Sequence, residues 1–104
     1  MQWHNLTDIG QLAMIESVSE NETVLIFKHS TRCSISAMAK ARLERIETLK
    51  QSIYYLDLIS YRDISNFIAE KYKVQHESPQ LLVLKNKQVV DVLNHSDIAE
   101  RNLP

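Results

Sequence analysis

Two short apolar segments flank a longer amphipathic one, and this arrangement constrains the fold more than any other feature of the sequence. Residues 23–28 read TVLIFK, which is typical of a strand that is buried on both faces. Residues 53–59, IYYLDLI, form a second run rich in aromatic and branched side chains. A helix between two such strands makes them parallel through a right-handed crossover. The sequence therefore predicts a βαβ unit at the centre of the chain.

The segment between the two runs, residues 34–50, shows the periodicity of an amphipathic helix. Its apolar residues recur at helical spacing and are predicted to share one buried stripe: Ile35, Ala39, Leu43, Ile46 and Leu49. Its charged residues are predicted to face away from that stripe, with Lys40 and Glu44 forming an i,i+4 ion pair beside Glu47.

Two further helices are predicted, one on each side of this unit. Residues 8–19 place apolar side chains at roughly helical spacing, with Thr7 or Asp8 as the N-cap. Ser60 and Asp63 have the spacing of a capping box and are predicted to open the second helix. That helix carries the apolar positions Ile64, Phe67, Ile68 and Tyr72.

The last third of the chain predicts a hairpin. Residues 80–85 and 88–93 are strand-like runs that flank Asn-Lys at residues 86–87, and a two-residue separation is typical of a tight hairpin. Ser96 is predicted to cap a short final helix over residues 97–102. The predicted order is α-β-α-β-α-β-β-α in a single domain. The most economical packing is a four-stranded mixed sheet with helices on both faces, the thioredoxin-like arrangement.

The counts of Cys, Gly and His exclude several classes of site. The chain of 104 residues has one Cys, so it cannot by itself build a disulfide framework, a Cys-rich zinc site or an iron–sulfur cluster. Its one Gly, Gly10, cannot form the glycine-rich loops that hold nucleotide phosphates. Four scattered His residues without i,i+4 spacing predict no metal site. An unpaired Cys also indicates a reducing compartment.

Charge is distributed unevenly along the chain, although the net charge is only −1. Residues 1–27 carry four acidic residues and no Lys or Arg, whereas residues 28–50 carry six basic residues against two acidic ones. The overall balance is not the basic footprint of a protein that binds nucleic acid or an anionic membrane surface. The positive segment contains Cys33, although three ordinary solvated surfaces would give the same distribution.

No segment of the sequence has the composition of a targeting or membrane-spanning element. The first residues, MQWHNLTDIG, lack the basic region and apolar region of a signal peptide. The longest apolar runs, 24–27 and 81–84, have four residues each, whereas a spanning helix needs about 20. These features predict a soluble protein of the cytoplasm.

Cys33 lies where the loop after the first predicted strand meets the start of the long predicted helix. A sulfur at a helix N-terminus faces unpaired backbone N–H groups and the positive end of the helix dipole, and both favour the thiolate. Arg32 and Lys40 add positive potential, and the Ser36 hydroxyl is expected to donate to the sulfur. Cys33 is therefore a candidate nucleophile; the alternative is a small buried side chain without reactivity.

Pro79 stands directly before a predicted strand, where a residue without an N–H group is unusual. A cis Ser78–Pro79 bond would turn the chain and expose the Ser78 backbone beside Cys33, where a thiol-bearing peptide could pair with it. The alternative is a trans proline at the start of an edge strand, since cis is the minority state. His76, in the loop before Pro79, is a candidate base near Cys33, whereas His29 at a strand end is typical of a packing or capping residue.

The segments TRCSIS and ESPQLLVL, together with the predicted order of elements, resemble the thioredoxin-like superfamily over nearly the whole chain. Within it, HSTRCSISAMAKARLE and ESPQLLVLKNKQVVDVLNHSDI are similar to the monothiol bacilliredoxin family of YtxJ type. The resemblance implies a cytoplasmic redox protein that removes the small thiol bacillithiol from S-bacillithiolated proteins. By position, it implies that Cys33 is the nucleophile and Pro79 the cis-proline of the loop that faces the substrate.

The sequence departs from the dithiol thioredoxins at two positions. Ser36 stands where they have a resolving Cys, and Arg32 replaces the Trp that precedes their first Cys. Without a second thiol the chain cannot form an internal disulfide, so a monothiol cycle with no bound cofactor remains. The family resemblance implies bacillithiol as the co-substrate of that cycle. Arg32 and Lys40 are expected to contact carboxylates of this anionic thiol. The catalytic set is then Cys33, Ser36 and Pro79, and the candidate thiol- and substrate-binding residues are Thr31, Arg32, Ser34, Lys40, His76 and Ser78.

Two other interpretations stay open at the level of sequence. A thioredoxin-like binding module would capture a peptide at the Pro79 loop while Cys33 is inert, and a thiol sensor of the stress response would be modified at Cys33 without catalysis. The polar neighbours Arg32 and Ser36 favour the enzyme, because an inert core Cys prefers apolar surroundings. The expected partners are bacillithiol and S-bacillithiolated proteins, not nucleic acid or a membrane, and the sequence indicates no oligomeric state.

Overall fold

A computed structural model describes residues 2–46 and 50–104. Its elements are, in chain order, β1 (Gln2–Asn5), α1 (Gln11–Val18), β2 (Val24–His29), α2 (Ser34–Glu44), β3 (Ser52–Asp57), α3 (Arg62–Tyr72), β4 (Gln80–Lys85) and β5 (Gln88–Asn94), followed by two 3₁₀ turns (His95–Asp97 and Glu100–Asn102). Within these residues, five strands form one sheet in the order β1-β3-β2-β4-β5. Strands β1, β3 and β2 are parallel, whereas β4 runs antiparallel to β2 and β5. The predicted mixed sheet with a parallel βαβ unit is confirmed.

β2 lies at the centre of the sheet and is buried along its whole length, as its apolar sequence predicts. Because successive side chains of a strand alternate, Ile26 packs on one face with α1 and α3, whereas Phe27 packs on the other face with α2. Lys28 and His29 end the strand and are also buried. The strand thus brings two polar side chains to opposite faces of the sheet, at the end that leads to Cys33.

The fifth strand, β1, is absent from the prediction of a four-stranded sheet, which is wrong in this respect. β1 lies at the edge of the sheet and pairs in parallel with β3, with Trp3 opposite Ile53. Only Trp3 of this strand is half-buried, and its ring centroid lies 6.4 Å from that of Phe27 and 6.3 Å from that of Tyr55. The strand is held by backbone pairing and by the ring contacts of Trp3 and His4, and its sequence shows no alternation of apolar side chains from which it could be predicted.

α2 is shorter than the helix predicted over residues 34–50. It runs over Ser34–Glu44, with Arg45 as its C-cap, so Ile46 follows the end of the helix. The predictions for two further positions, Glu47 and Leu49, lie outside the described residues.

The buried face of α2 also differs from the predicted stripe. The prediction that Ile35 belongs to the buried stripe is wrong, since this side chain is 55% exposed. The residues that the helix buries are Ser36, Ala39 and Leu43. The face is therefore rotated so that a serine points inward one turn after Cys33. The predicted ion pair between Lys40 and Glu44 is confirmed, with 2.9 Å between Nζ and Oε2.

The predicted N-cap of α1 is wrong. Gly10 occupies that position, while Thr7 and Asp8 precede the helix. The Gln11 side-chain oxygen accepts the backbone N–H groups of Thr7 at 2.7 Å and of Asp8 at 2.9 Å. A side chain from inside the helix therefore binds the preceding loop, in place of a loop side chain that caps the helix.

The capping box predicted for α3 does not form either. Tyr61 is the N-cap of this helix and makes no side-chain capping bond. Ser60 instead donates its hydroxyl to Asp57 Oδ2 at 3.1 Å. Asp57 ends β3, so this bond ties the turn to the preceding strand rather than to the helix.

The predicted hairpin is confirmed, and its turn has a defined type. Asn86 and Lys87 have φ values of 53° and 65°, and two consecutive positive values are the mark of a type I′ turn. The predicted final helix over residues 97–102, with Ser96 as its cap, is wrong. Two separate 3₁₀ turns occupy this region, and Ile98 between them is fully buried against the α2 face of the sheet.

Candidate functional site

Cys33 occupies the N-cap position of α2. Its backbone is extended, with φ −111° and ψ 121°, and its carbonyl accepts the first helical bond from the Ala37 N–H at 3.0 Å. Its own N–H donates to the Ser30 carbonyl at 3.2 Å. These two backbone bonds hold Cys33 at the start of the helix. The residue is half-buried and therefore partly accessible.

Ser36 lies one turn into α2 and is fully buried. Its hydroxyl oxygen lies 2.6 Å from His29 Nδ1 and accepts the Ser30 backbone N–H at 3.0 Å. The predicted hydrogen bond from this hydroxyl to the Cys33 sulfur is not formed among the described residues. The buried imidazole lies in a better position to accept the hydroxyl proton.

His29 ends β2 on the face that α2 covers and is 5% exposed. Its ring stacks on Phe27, with centroids 5.7 Å apart, and lies 5.5 Å from the ring of Tyr55. Burial lowers the pKa of His29 below its ordinary value of 6.5, and the ammonium of Lys40 lowers it further. The neutral ring is therefore the form that this site favours.

Pro79 is buried directly before β4, and the Ser78–Pro79 peptide bond is cis. Gln80 pairs with Lys28 across the sheet, so Pro79 lies beside the end of β2, where the loop to Cys33 begins. The Pro79 carbonyl accepts the His95 N–H at 3.0 Å. The Ser78 hydroxyl oxygen is buried without a hydrogen-bond partner in the described part of the chain.

The predicted polar and cationic residues around Cys33 differ in whether they already interact with other side chains of the protein. Thr31, Arg32 and Ser34 are exposed, and Arg32 makes no ion pair within residues 2–46 and 50–104. Lys40 is paired with Glu44, and its ammonium lies 5.7 Å from the ring centroid of Trp3 and 5.6 Å from that of Tyr55. These distances are typical of cation–π interactions, so Lys40 already interacts with side chains of the protein itself.

No hydrogen bond within residues 2–46 and 50–104 joins His76 to Cys33. Its Nδ1 lies 3.4 Å from Lys28 Nζ and 3.4 Å from the Ser65 hydroxyl, against α3 on the sheet face opposite α2. Burial lowers the pKa of His76, and the charges of Lys28 and Arg62 lower it further. The predicted place of His76 as a base beside Cys33 is therefore not supported by its contacts.

Lys28 is a buried polar residue that the sequence analysis missed. Its side chain is fully buried, and its ammonium donates to the Ser65 carbonyl at 3.0 Å. Burial lowers the pKa of Lys28 from 10.5 to about 8. Its burial could have been predicted from its position at the end of a strand that is apolar on both faces, because every side chain of such a strand is enclosed.

Two large apolar side chains follow Cys33 on the surface of α2. Ile35 is 55% exposed and Met38 is 61% exposed. They lie three residues apart on the helix and so share one side of it. A half-buried cysteine is thus followed by an exposed apolar surface.

In residues 2–46 and 50–104, no three His, Cys, Asp or Glu side chains are grouped so that they could hold a metal ion. None of the helices in the same part of the chain has the length and apolarity needed to cross a membrane.

Known proteins similar to this chain share its fold. Residues 4–103 match the family described as Monothiol bacilliredoxin BrxC. A solved structure described as a candidate oxidoreductase with a thioredoxin fold is 34% identical, with a TM-score of 0.82 over 96% of this chain and 88% of that one. The thioredoxin of Schistosoma mansoni is 20% identical, with a TM-score of 0.71 over 93% and 86% of the two chains. That of Fasciola hepatica is 16% identical, with a TM-score of 0.69 over 88% and 85%. These two thioredoxins show the fold alone.

Proposed function

Since this chain belongs to the monothiol bacilliredoxin family and has a thioredoxin-like fold, we propose that it removes bacillithiol from S-bacillithiolated proteins through a mixed disulfide on Cys33. The observation that carries the proposal is the position of Cys33, which is the chain's only thiol and the half-buried N-cap of α2. Backbone N–H groups at a helix N-terminus favour a thiolate, which is the attacking form in disulfide exchange.

The first step is the attack of the Cys33 thiolate on the bacillithiol sulfur of the modified protein. A disulfide forms between Cys33 and bacillithiol, the protein–bacillithiol disulfide breaks, and the protein leaves as a thiolate that takes a proton from water. A second bacillithiol thiolate then attacks the bacillithiol sulfur on Cys33. Bacillithiol disulfide leaves and the Cys33 thiolate is restored. In sum, the target protein is reduced to its free thiol, and one free bacillithiol is consumed to form a disulfide with the bacillithiol that was removed.

The neighbours of Cys33 support this cycle in different ways. Exposed Arg32 carries no ion pair among the described residues and is the cation proposed to contact a carboxylate of bacillithiol. Thr31 and Ser34 are exposed beside it and offer hydrogen-bonding groups to the small thiol. The backbone at Ser78, beside Pro79, is proposed to pair with the target peptide. We propose the cytoplasm as the compartment, because this cycle needs a reduced pool of bacillithiol.

The decisive experiment follows the small thiol by intact mass. The purified chain is mixed with an S-bacillithiolated test protein, and the expected product is a bacillithiol adduct on Cys33 that disappears when free bacillithiol is added. Cys33→Ser is the control and should release no bacillithiol. The same test protein carrying glutathione is the matched substrate.

Each outcome of this experiment has a distinct meaning. Release from the glutathionylated protein alone would reject bacillithiol as the thiol while keeping the monothiol cycle. An adduct on Cys33 that free bacillithiol does not remove would indicate a sensor. The absence of any adduct, together with alkylation of Cys33 only in the range of an ordinary thiol, near pH 8.5, would indicate a binding module.

A further inference from the structure

A buried hydrogen bond joins the end of β2 to the first turn of α2, on either side of Cys33. His29 Nδ1 lies 2.6 Å from the Ser36 hydroxyl oxygen, and both side chains are almost completely enclosed. Three residues lie between His29 and Cys33, and two lie between Cys33 and Ser36. The bond therefore links the end of the strand directly to the first turn of the helix, across the short loop that contains Cys33.

The proton positions in this bond follow from the other contacts of Ser36. The Ser36 oxygen accepts the Ser30 backbone N–H at 3.0 Å, so its own proton remains to be donated. His29 Nδ1 is the acceptor that lies within hydrogen-bond distance, which requires a neutral ring with its proton on Nε2. The lowered pKa of His29 is consistent with a neutral ring.

We infer that His29 is a positioning residue for Cys33, acting through the Ser36 hydroxyl. Ser30 takes part twice, because its N–H donates to Ser36 and its carbonyl accepts the Cys33 N–H at 3.2 Å. The imidazole thus fixes the Ser36 hydroxyl, the hydroxyl fixes the loop backbone, and the loop backbone fixes Cys33 as the N-cap. A role of His29 in catalysis rests on the proposed function, whereas the hydrogen bonds that connect it to Cys33 do not depend on that function.

This role explains why a hydroxyl occupies position 36 in a chain with one thiol. A hydroxyl can accept an N–H and donate its proton at the same time, and both bonds are formed here. An alanine at this position would leave the imidazole nitrogen and the Ser30 N–H without their partner. The start of α2 would then lose the contacts that hold its N–H groups around the sulfur.

The test measures the rate at which a small neutral reagent, iodoacetamide, alkylates Cys33 at neutral pH. His29→Leu removes the acceptor, Ser36→Ala removes the donor, and His29→Asn restores an acceptor because the Asn Oδ1 lies close to the place of Nδ1. We expect His29→Leu and Ser36→Ala each to slow alkylation by about fivefold or more, while His29→Asn stays near the wild-type rate. The double variant His29→Leu/Ser36→Ala should be no slower than the slower single variant, because each substitution already removes the bond between His29 and Ser36.

The controls separate positioning from general damage. His4→Leu changes an exposed histidine on β1, stacked on Tyr54 with centroids 4.9 Å apart, and should leave the rate unchanged. If His29→Leu does not fold, the other two variants are sufficient for the test. Ser36→Ala should then react slowly, and His29→Asn should react near the wild-type rate. A wild-type rate in Ser36→Ala, or a rate in His29→Asn as low as in the variants that lack the bond, would overturn the inference.

The measurement is also independent of the proposed substrate. Iodoacetamide reports on Cys33 whether or not bacillithiol is the natural thiol. A wild-type protein that releases no bacillithiol would therefore reject the proposed function and leave the positioning result intact. Unchanged alkylation in both variants that lack the bond would reject the positioning role and leave the proposed function standing.

Discussion

The ammonium of Lys28 donates a hydrogen bond to the main-chain oxygen of Ser65 at 3.0 Å, from a side chain that is fully buried. Lys28 has no carboxylate partner within residues 2–46 and 50–104. A buried charge without an opposite charge is costly, and the lowered pKa of Lys28 expresses that cost. β2 therefore carries an electrostatic penalty one residue before the strand ends at His29.

The first prediction concerns the stability of Lys28→Met as a function of pH. The folded-state pKa of Lys28 is lowered from 10.5 to about 8, so between these values the unfolded chain binds more protons than the folded one. The free energy of unfolding of the wild type should therefore rise by about 2–3 kcal/mol relative to Lys28→Met between pH 8 and 10.5. Denaturant unfolding of both proteins across this range measures the difference.

At neutral pH, Lys28→Met should be at least as stable as the wild type, because methionine fills the stem of the side chain without a charge. Lys85→Met is the matched control, since Lys85 is exposed on the neighbouring strand β4. Parallel curves for wild type and Lys28→Met between pH 8 and 10.5 would contradict the prediction.

The second prediction concerns the hairpin turn. Lys87 has a φ of 65°, a conformation that glycine adopts without steric cost. Lys87→Gly and Lys87→Ala both remove the exposed ion pair to Glu20, which lies at 3.0 Å, and both keep the N–H that donates to Ser19 at 2.8 Å. We expect the glycine variant to be more stable than the alanine variant by about 1 kcal/mol, measured by thermal unfolding. Equal stabilities would show that the turn bears no strain at this residue.

The third prediction concerns the bond between α3 and α1. Tyr72 donates its hydroxyl to Glu16 Oε2 at 2.7 Å. Burial alone would raise the pKa of Glu16, but hydrogen bonds from Tyr72 and Lys71 outweigh it and lower the pKa below 4.5. Tyr72→Phe should cost about 1 kcal/mol at neutral pH, because a half-buried charged acceptor loses one of its two donors.

The pH dependence of Tyr72→Phe follows from the lowered pKa of Glu16. Stability from this carboxylate is present above its unfolded pKa and is lost as the pH falls through its lower folded pKa. The difference between wild type and Tyr72→Phe should therefore shrink as the pH falls below 4.5. Tyr61→Phe is the control, since its hydroxyl makes no hydrogen bond that the structure describes, and it should show no such trend.

The fourth prediction tests which cation contacts the small thiol. Arg32→Gln should raise KM for an S-bacillithiolated substrate by about threefold at low salt, with a smaller effect at high salt because exposed charges are screened. Lys40→Gln should change KM less, since Lys40 already pairs with Glu44 and lies over the ring of Trp3. An equal rise in both variants would show that Lys40 leaves these partners to bind substrate.

The central architecture was predictable because it depends on local patterns. β2 is apolar at successive positions, and a helix follows it after a short loop, so the place of Cys33 at the start of α2 could be derived from the sequence. β1 could not, because its pairing with β3 uses backbone groups that every residue carries. The start of α3 was misplaced because Ser60 has two possible acceptors, and Asp57 is the one that it binds.

The polar contacts around Cys33 were less predictable than its position. A spacing of three residues places Ser36 on the side of Cys33, but the direction of its hydroxyl depends on the imidazole of His29, which belongs to another element. Lys28 and Ser65 are 37 residues apart in the chain and meet only after the sheet and α3 have packed. Such pairs follow from tertiary structure rather than from periodicity.

Trp3 is the only tryptophan of the chain, and its place on β1 makes its emission a local signal. Its indole ring lies against Phe27 and Tyr55 and within 5.7 Å of the Lys40 ammonium. Detachment of the edge strand would free this ring while the four other described strands remain paired. The protein therefore carries an intrinsic fluorescent reporter of the contact between β1 and α2, the helix that Cys33 caps.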